Sequence, residues 1–204
     1  MINKEIVDYN WRSENIEEVL NLEQEDIWTG SYYDLSIEFP LTINLQQLKE
    51  VLSTIEALQH FTFDILDDPI QVGEVVFIQG EIGEFPCMLS VMIVEEEATW
   101  LDFSIPVNLL ETQYPVRYPL TLENNLWIRN IQDMYSSLAM SIYEKFPFHM
   151  AMIGEEVAGM TTSTLLDVPT LQTLSAILPL ELQKKLDIES DGEPLSQQLR
   201  LYSV

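Results

Sequence analysis

Chemistry in this chain would have to be drawn from a small set of side chains: two histidines, His60 and His149, one cysteine, Cys87, and a large excess of carboxylates. Nucleophilic catalysis needs a Ser, Thr or Cys beside a base. The nucleophile-elbow spacing G-x-S-x-G is absent, and a Cys87–His149 dyad would only pair the few residues available. His60 falls where a helix should end, a place that favours a cation against the helix dipole. His149, between Phe148 and Met150 in a strand-like tract, reads as a structural histidine. Cys87 follows Phe85 and Pro86 at the start of a strand and reads as a small buried apolar residue.

Metal and phosphate chemistry find no pattern. With a single cysteine there is neither an intramolecular disulfide nor a thiolate zinc cluster. The spacings H-E-x-x-H, paired C-x-x-C and D-x-D-x-D-G are missing, and Gly80 and Gly83 do not have the spacing of a phosphate cradle. Glu155 and Glu156 are adjacent on a strand, so they point to opposite faces. No catalytic, metal or cofactor-binding residue is therefore assigned. An enzyme of unrecognised class stays open, since many carboxylates could converge only in three dimensions.

Charge is the most distinctive property. Nine basic residues against 34 acidic ones give a formal net charge of −25 and a pI near 4.1. Such a surface repels phosphate backbones and anionic lipid and attracts cations and basic proteins. Between Glu50 and Val116 carboxylates recur without one Lys or Arg. The candidate partner-binding carboxylates are Glu95, Glu96 and Glu97 on a hairpin tip, Asp67 and Asp68 in a turn, and Glu17 and Glu18 on an N-terminal helix. The triple-Glu tip also reads as a solvated loop or a weak divalent-ion site. Acidity as a simple aid to solubility is the plainer alternative.

The elements that would carry these groups are legible in the periodicity. Ile16, Val19 and Leu20 share a helical face within 15–24. Tyr33, Leu35, Ile37 and Phe39 alternate with Asp34, Ser36 and Glu38, the period of a strand with one wet face. Leu45, Leu48, Leu52 and Ile55 form the stripe of a helix over 45–58. Four strand-like runs then follow within 61–105. The first and last alternate: Phe61, Phe63 and Ile65 in one, Leu101, Phe103 and Ile105 in the other. The middle two, around Val75–Ile78 and Val91–Val94, are apolar on both faces and read as central strands covered on both sides. C-terminal helices or another subunit would supply that cover.

Further on, Pro106 should open a short helix. Trp127, Ile131, Met134, Tyr135, Leu138, Ile142 and Phe146 keep a helical repeat over about 125–146. PFHMAMIGEEV reads as a strand. Two short helices are expected after Asp167 and around Pro179, the latter with Lys184 and Lys185 near its end. LRLYSV should be a terminal strand or a clamp.

The tracts WLDFSIPVNLLE, Trp100 to Glu111, and PFHMAMIGEEVAG, Pro147 to Gly159, resemble a pattern in bacterial proteins of unknown function. The resemblance implies a bacterial cytosolic origin and assigns no residue a role. The opening MINKEIVDYNW lacks the apolar core of a signal peptide, and no apolar run is long enough to span a bilayer. A reducing cytoplasm fits these features.

At 47% hydrophobic and 10% aromatic residues, the 204-residue chain can build a core. The expected fold is α+β: a mostly antiparallel sheet of roughly five to seven strands, two main helices on one face and small C-terminal helices capping an edge. Residues 1–30 would form an acidic helical arm, 31–159 the α+β core and 160–204 a helical extension, all within a single domain. The expected function is non-catalytic binding of a basic protein partner, of immunity, inhibitor or regulator type, without cofactor, nucleic acid or membrane. The alternatives are an oligomeric scaffold, such as a homodimer, or a small-ligand-binding protein, and an enzyme.

Overall fold

A computed structural model of the chain describes residues 28–40, 45–57, 72–94 and 98–204. The expected helix at 15–24, the strand at 61–66, the turn at 67–69, His60 and the Glu95–Glu97 tip lie outside the described residues.

The fold is α+β, with an antiparallel sheet of eight strands and five helices among the described residues. In chain order these are β1 (Tyr32–Pro40), α1 (Leu45–Ala57), β2 (Val75–Ile82), β3 (Phe85–Ile93), β4 (Ala98–Pro106), α2 (Val107–Gln113), α3 (Ile128–Tyr143), β5 (Met150–Glu155), α4 (Val168–Leu171), β6 (Ser175–Pro179), α5 (Leu180–Leu186), β7 (Glu193–Pro194) and β8 (Leu199–Tyr202). The strand order is β2-β3-β4-β1-β5-β6-β8-β7. The sheet thus has one strand more than the upper end of the expectation. Its surplus comes from the C-terminal segment, which adds β6 and β7 to the terminal strand β8.

One face of the sheet is dry throughout. Leu35, Ile37, Phe39, Leu89, Val91, Leu101, Phe103 and Ile105 point to it and meet Leu48, Val51, Leu52 and Ile55 of α1 and Ile131, Tyr135, Leu138 and Ile142 of α3. The apolar stripes of both helices are what the 3.6-residue period requires of helices laid on a sheet. Cys87 is fully buried in this layer.

Tyr135 ties the helix layer to the middle of the sheet. Its ring stacks on Tyr33, with centroids 6.4 Å apart, and its hydroxyl sits between the backbone carbonyls of Tyr33 and Phe103 at 2.9 and 3.0 Å. Burial holds its pKa well above the ordinary phenol value, so the group stays a donor.

The second face holds a separate core. Trp100, Met150, Met152, Ala176, Leu178 and Tyr202 of the sheet pack against Val157, Leu166, Leu171, Leu174, Leu182 and Ile188. The small helices α4 and α5 therefore lie over this face and do not merely cap an edge. Asp167 caps α4 by accepting from the Thr170 amide at 2.8 Å, and Lys184 and Lys185 fall in the last turn of α5.

Two expectations about wet and dry faces are reversed. In β1, Asp34, Ser36 and Glu38 are as buried as the apolar residues between them. β2 is an edge strand among the described residues, with Val75 and Phe77 exposed, where the apolar run had suggested a central position. Alternation reports a strand's period, whereas burial of each face depends on which segments cross it.

Replacing Tyr135 by Phe keeps the ring and removes the hydroxyl shared by two strand carbonyls. The expected loss is about 1–3 kcal/mol of stability, read as a lower urea midpoint with an unchanged m-value.

Candidate functional site

The unusual chemistry of the fold lies on the second face, where β3, β4 and β1 run side by side. Cross-strand register sets Ser36 opposite Asp102, Ser90 opposite the same Asp102, and Asp34 opposite Ser104. Because side chains alternate along each strand, these residues project together.

Asp102 is the centre of the row. Ser36 donates to its Oδ1 at 2.5 Å and Ser90 to its Oδ2 at 3.0 Å, so one carboxylate links three adjacent strands. Burial raises its pKa above the usual carboxylate range, and the two hydroxyl donors oppose that rise. Serines placed this way satisfy a carboxylate and are not activated nucleophiles.

Asp34 is held less well. It is 3% exposed, and its Oδ1 has no hydrogen-bond partner. Loss of water pushes its pKa up to about 7, helped by the charges of Asp102 and Glu156 and opposed by the Ser104 hydroxyl and the Val157 amide. It therefore titrates near neutrality.

Glu38, farther along β1, is bound by the chain that crosses above it. The Ser163 amide donates to Oε2 at 2.6 Å and the Ser163 hydroxyl to Oε1 at 2.8 Å. His149 Nδ1 lies 3.6 Å from Glu38 Oε1, and its side chain is half exposed. Serine, histidine and glutamate thus meet here, but the glutamate sits between the other two. A catalytic triad needs the imidazole between hydroxyl and carboxylate.

The residues singled out in the sequence fare differently. Cys87 belongs to the dry face and His149 flanks Glu38 on the other, so the sheet separates the two members of the imagined dyad. Burial pushes the Cys87 thiol well above its ordinary pKa, away from thiolate reactivity. Glu17, Glu18, Asp67, Asp68, Glu95, Glu96 and Glu97 all lie outside the described residues. Among the described residues no group of three or more His, Cys, Asp or Glu could hold a metal ion, and no helix is long and apolar enough to cross a membrane.

Sequence reasoning passed over Asp34, Ser36, Glu38, Asp102 and Ser163. The available signal was the polar half of two alternating strands, which looked like a solvated face. An open groove of about 360 Å³ lies elsewhere, lined by Leu171, Ile188, Asp191, Tyr202 and Val204 among others. No protein-family model, curated protein or solved structure matches the chain.

Asp34 makes stability depend on pH with a definite sign. Folded Asp34 binds its proton up to about pH 7, whereas an ordinary aspartate releases it near 3.8. Between those values the folded state holds more protons than the unfolded one, so stability falls as pH rises and levels off above the folded pKa. The whole effect is on the order of 4 kcal/mol. In urea melts at pH 5 and pH 8, the wild type should be weaker at pH 8 and Asp34→Asn should lose most of that difference. An equal slope in the two proteins would remove Asp34 as its source.

Proposed function

We propose that this protein is a non-catalytic acidic binder of a basic protein partner, of immunity, inhibitor or regulator type, working in a bacterial cytoplasm. What carries this reading is the way the few cations are spent. Arg129 pairs with Asp133 and Glu193, Lys145 reaches the Thr54 hydroxyl, Lys185 the Ser163 carbonyl, and Arg200 the carbonyls of Asp191 and Gly192. Two ion pairs with arginine occur among the described residues, and His149 approaches Glu38 as well. Among the described residues most carboxylates are therefore exposed and outside any ion pair.

A field of that sign steers a cationic surface toward the protein and accelerates encounter, and salt screens it over a distance of about 8–10 Å. Binding driven this way needs neither a catalytic group nor a deep cleft.

Affinity capture from the native cell at low and at high salt, with the eluate weighed by mass spectrometry, tests the reading. A stoichiometric basic protein that leaves as salt rises is expected. Joint neutralisation of Glu17, Glu18, Asp67, Asp68, Glu95, Glu96 and Glu97 to their amides should slow its association by about tenfold at low salt and flatten the salt dependence. Recovery of the bait alone at both salts, or an association untouched by neutralisation, would overturn the assignment.

A further inference from the structure

The sequence around β2 is apolar in both directions, and the fold satisfies only one of them. Val76 and Ile78 turn toward the dry core. On the opposite face Val75 is 41% and Phe77 66% exposed, with Val72 just before them at 56%. A phenylalanine left in water in the middle of a regular strand is costly unless something covers it.

β2 also lies at the end of the sheet, with β3 as its only neighbour among the described residues. Its ladder is unbroken from Val75↔Met92 to Ile82↔Phe85, closed by a two-residue turn in which Gly83 supplies the positive φ of 62°. Half of the backbone groups of such a strand point away from β3, its one partner among the described residues. Natural edge strands are usually protected by Lys, by Pro or by a bulge. Residues 72–82 contain neither Lys, Arg nor Pro, and the paired register has no bulge.

The charges around this edge are all of one sign. Glu74, Glu81 and Glu84 are exposed and enter no ion pair among the described residues. No basic residue occurs anywhere in β2, β3 or β4. Along β2, Val75, Phe77, Gln79 and Glu81 project from the same face, so apolar and acidic positions follow one another in strand register.

We propose that the outer edge of β2 is a docking site for an extended, basic segment of the partner protein, which adds to the sheet as a further antiparallel or parallel strand. Main-chain hydrogen bonds hold the added strand, its apolar residues cover Val75 and Phe77, and its Lys or Arg residues meet Glu81 and the flanking Glu74 and Glu84. The charge complementarity selects a cationic strand over a second copy of this acidic chain. The inference rests on the acidic-binder reading and names the surface through which it works.

The test uses the full chain and two labelled peptides of about ten residues, the length of an ordinary strand. One alternates Lys and Val; the other has the same charge with two central Val replaced by Pro, which cannot donate to a ladder. Fluorescence anisotropy should show salt-sensitive binding of the first and binding weaker by about tenfold or more for the second. Phe77→Lys and, independently, Val75→Lys should each weaken the Lys–Val peptide by about tenfold, while Glu181→Gln, on α5 against β6 and so across the sheet from β2, should leave it unchanged.

Equal binding of the two peptides, indifferent to both lysine variants, would overturn strand addition and leave the acidic-binder reading standing. If neither peptide binds while a basic protein is captured as well by Phe77→Lys as by the wild type, the edge alone is refuted. Sedimentation that shows a wild-type dimer made monomeric by Phe77→Lys would assign the edge to a second copy and overturn the basic occupant.

Discussion

The contact on which the rest of the architecture turns is the one between Asp102 and the hydroxyls of Ser36 and Ser90. A carboxylate inside a sheet is costly unless its oxygens are satisfied, and here the donors come from the strands on either side. That arrangement holds only in one register. Sliding β1 by a single residue along β4 would carry Asp34, Ser36 and Glu38 into the layer beneath α1 and α3 and lift Leu35, Ile37 and Phe39 out of it. The dry helix layer and the polar row thus enforce the same strand pairing from opposite sides.

The two faces contribute unequally to stability. The layer under α1 and α3 is mostly apolar and gains from burial, although it also buries Gln132, hydrogen-bonded to Ser175, and Ser136. The other face is divided between a small second core, formed by the chain from Val157 to Ile188, and the row of buried acids. Ser163 hydrogen-bonds both oxygens of Glu38, but Asp34 keeps one oxygen without a partner, and burial makes it resist ionisation. A formal net charge of −25, to which any ionised buried acid already belongs, makes the folded chain self-repulsive near neutral pH. Screening salt would relieve part of that repulsion.

Much of the fold could be read from periodicity. The stripe of Leu48, Leu52 and Ile55 identified α1, and the run from Ile131 to Ile142 identified α3, because only a helix brings such spacings to one face. Pro106, Pro169 and Pro179 marked the starts of short helices, since proline is tolerated where a helix has no intrahelical acceptor for its first amides. The strand SAILP, β6, escaped notice. Five consecutive buried residues between two leucine-rich helical turns carry no alternation, and a short apolar run does not distinguish strand from helix. The candidate carboxylates chosen by charge and turn position lie outside the described residues, so the chemistry that the fold does assemble comes from different acids.

By itself the sequence determined the class of the protein: α+β, acidic, with an apolar side for every main element and a lone cysteine suited to burial. These properties follow from composition and from periods of 2 and 3.6 residues, which are local. Tertiary structure alone decided which faces are wet. Among the described residues it left β2 at an edge with Phe77 exposed, buried Asp34, Ser36 and Asp102, and set Cys87 and His149 on opposite sides of the sheet. Burial depends on strand order and on the path of distant segments such as Val157 to Ser163, and neither is encoded in the period of the strand that they cover.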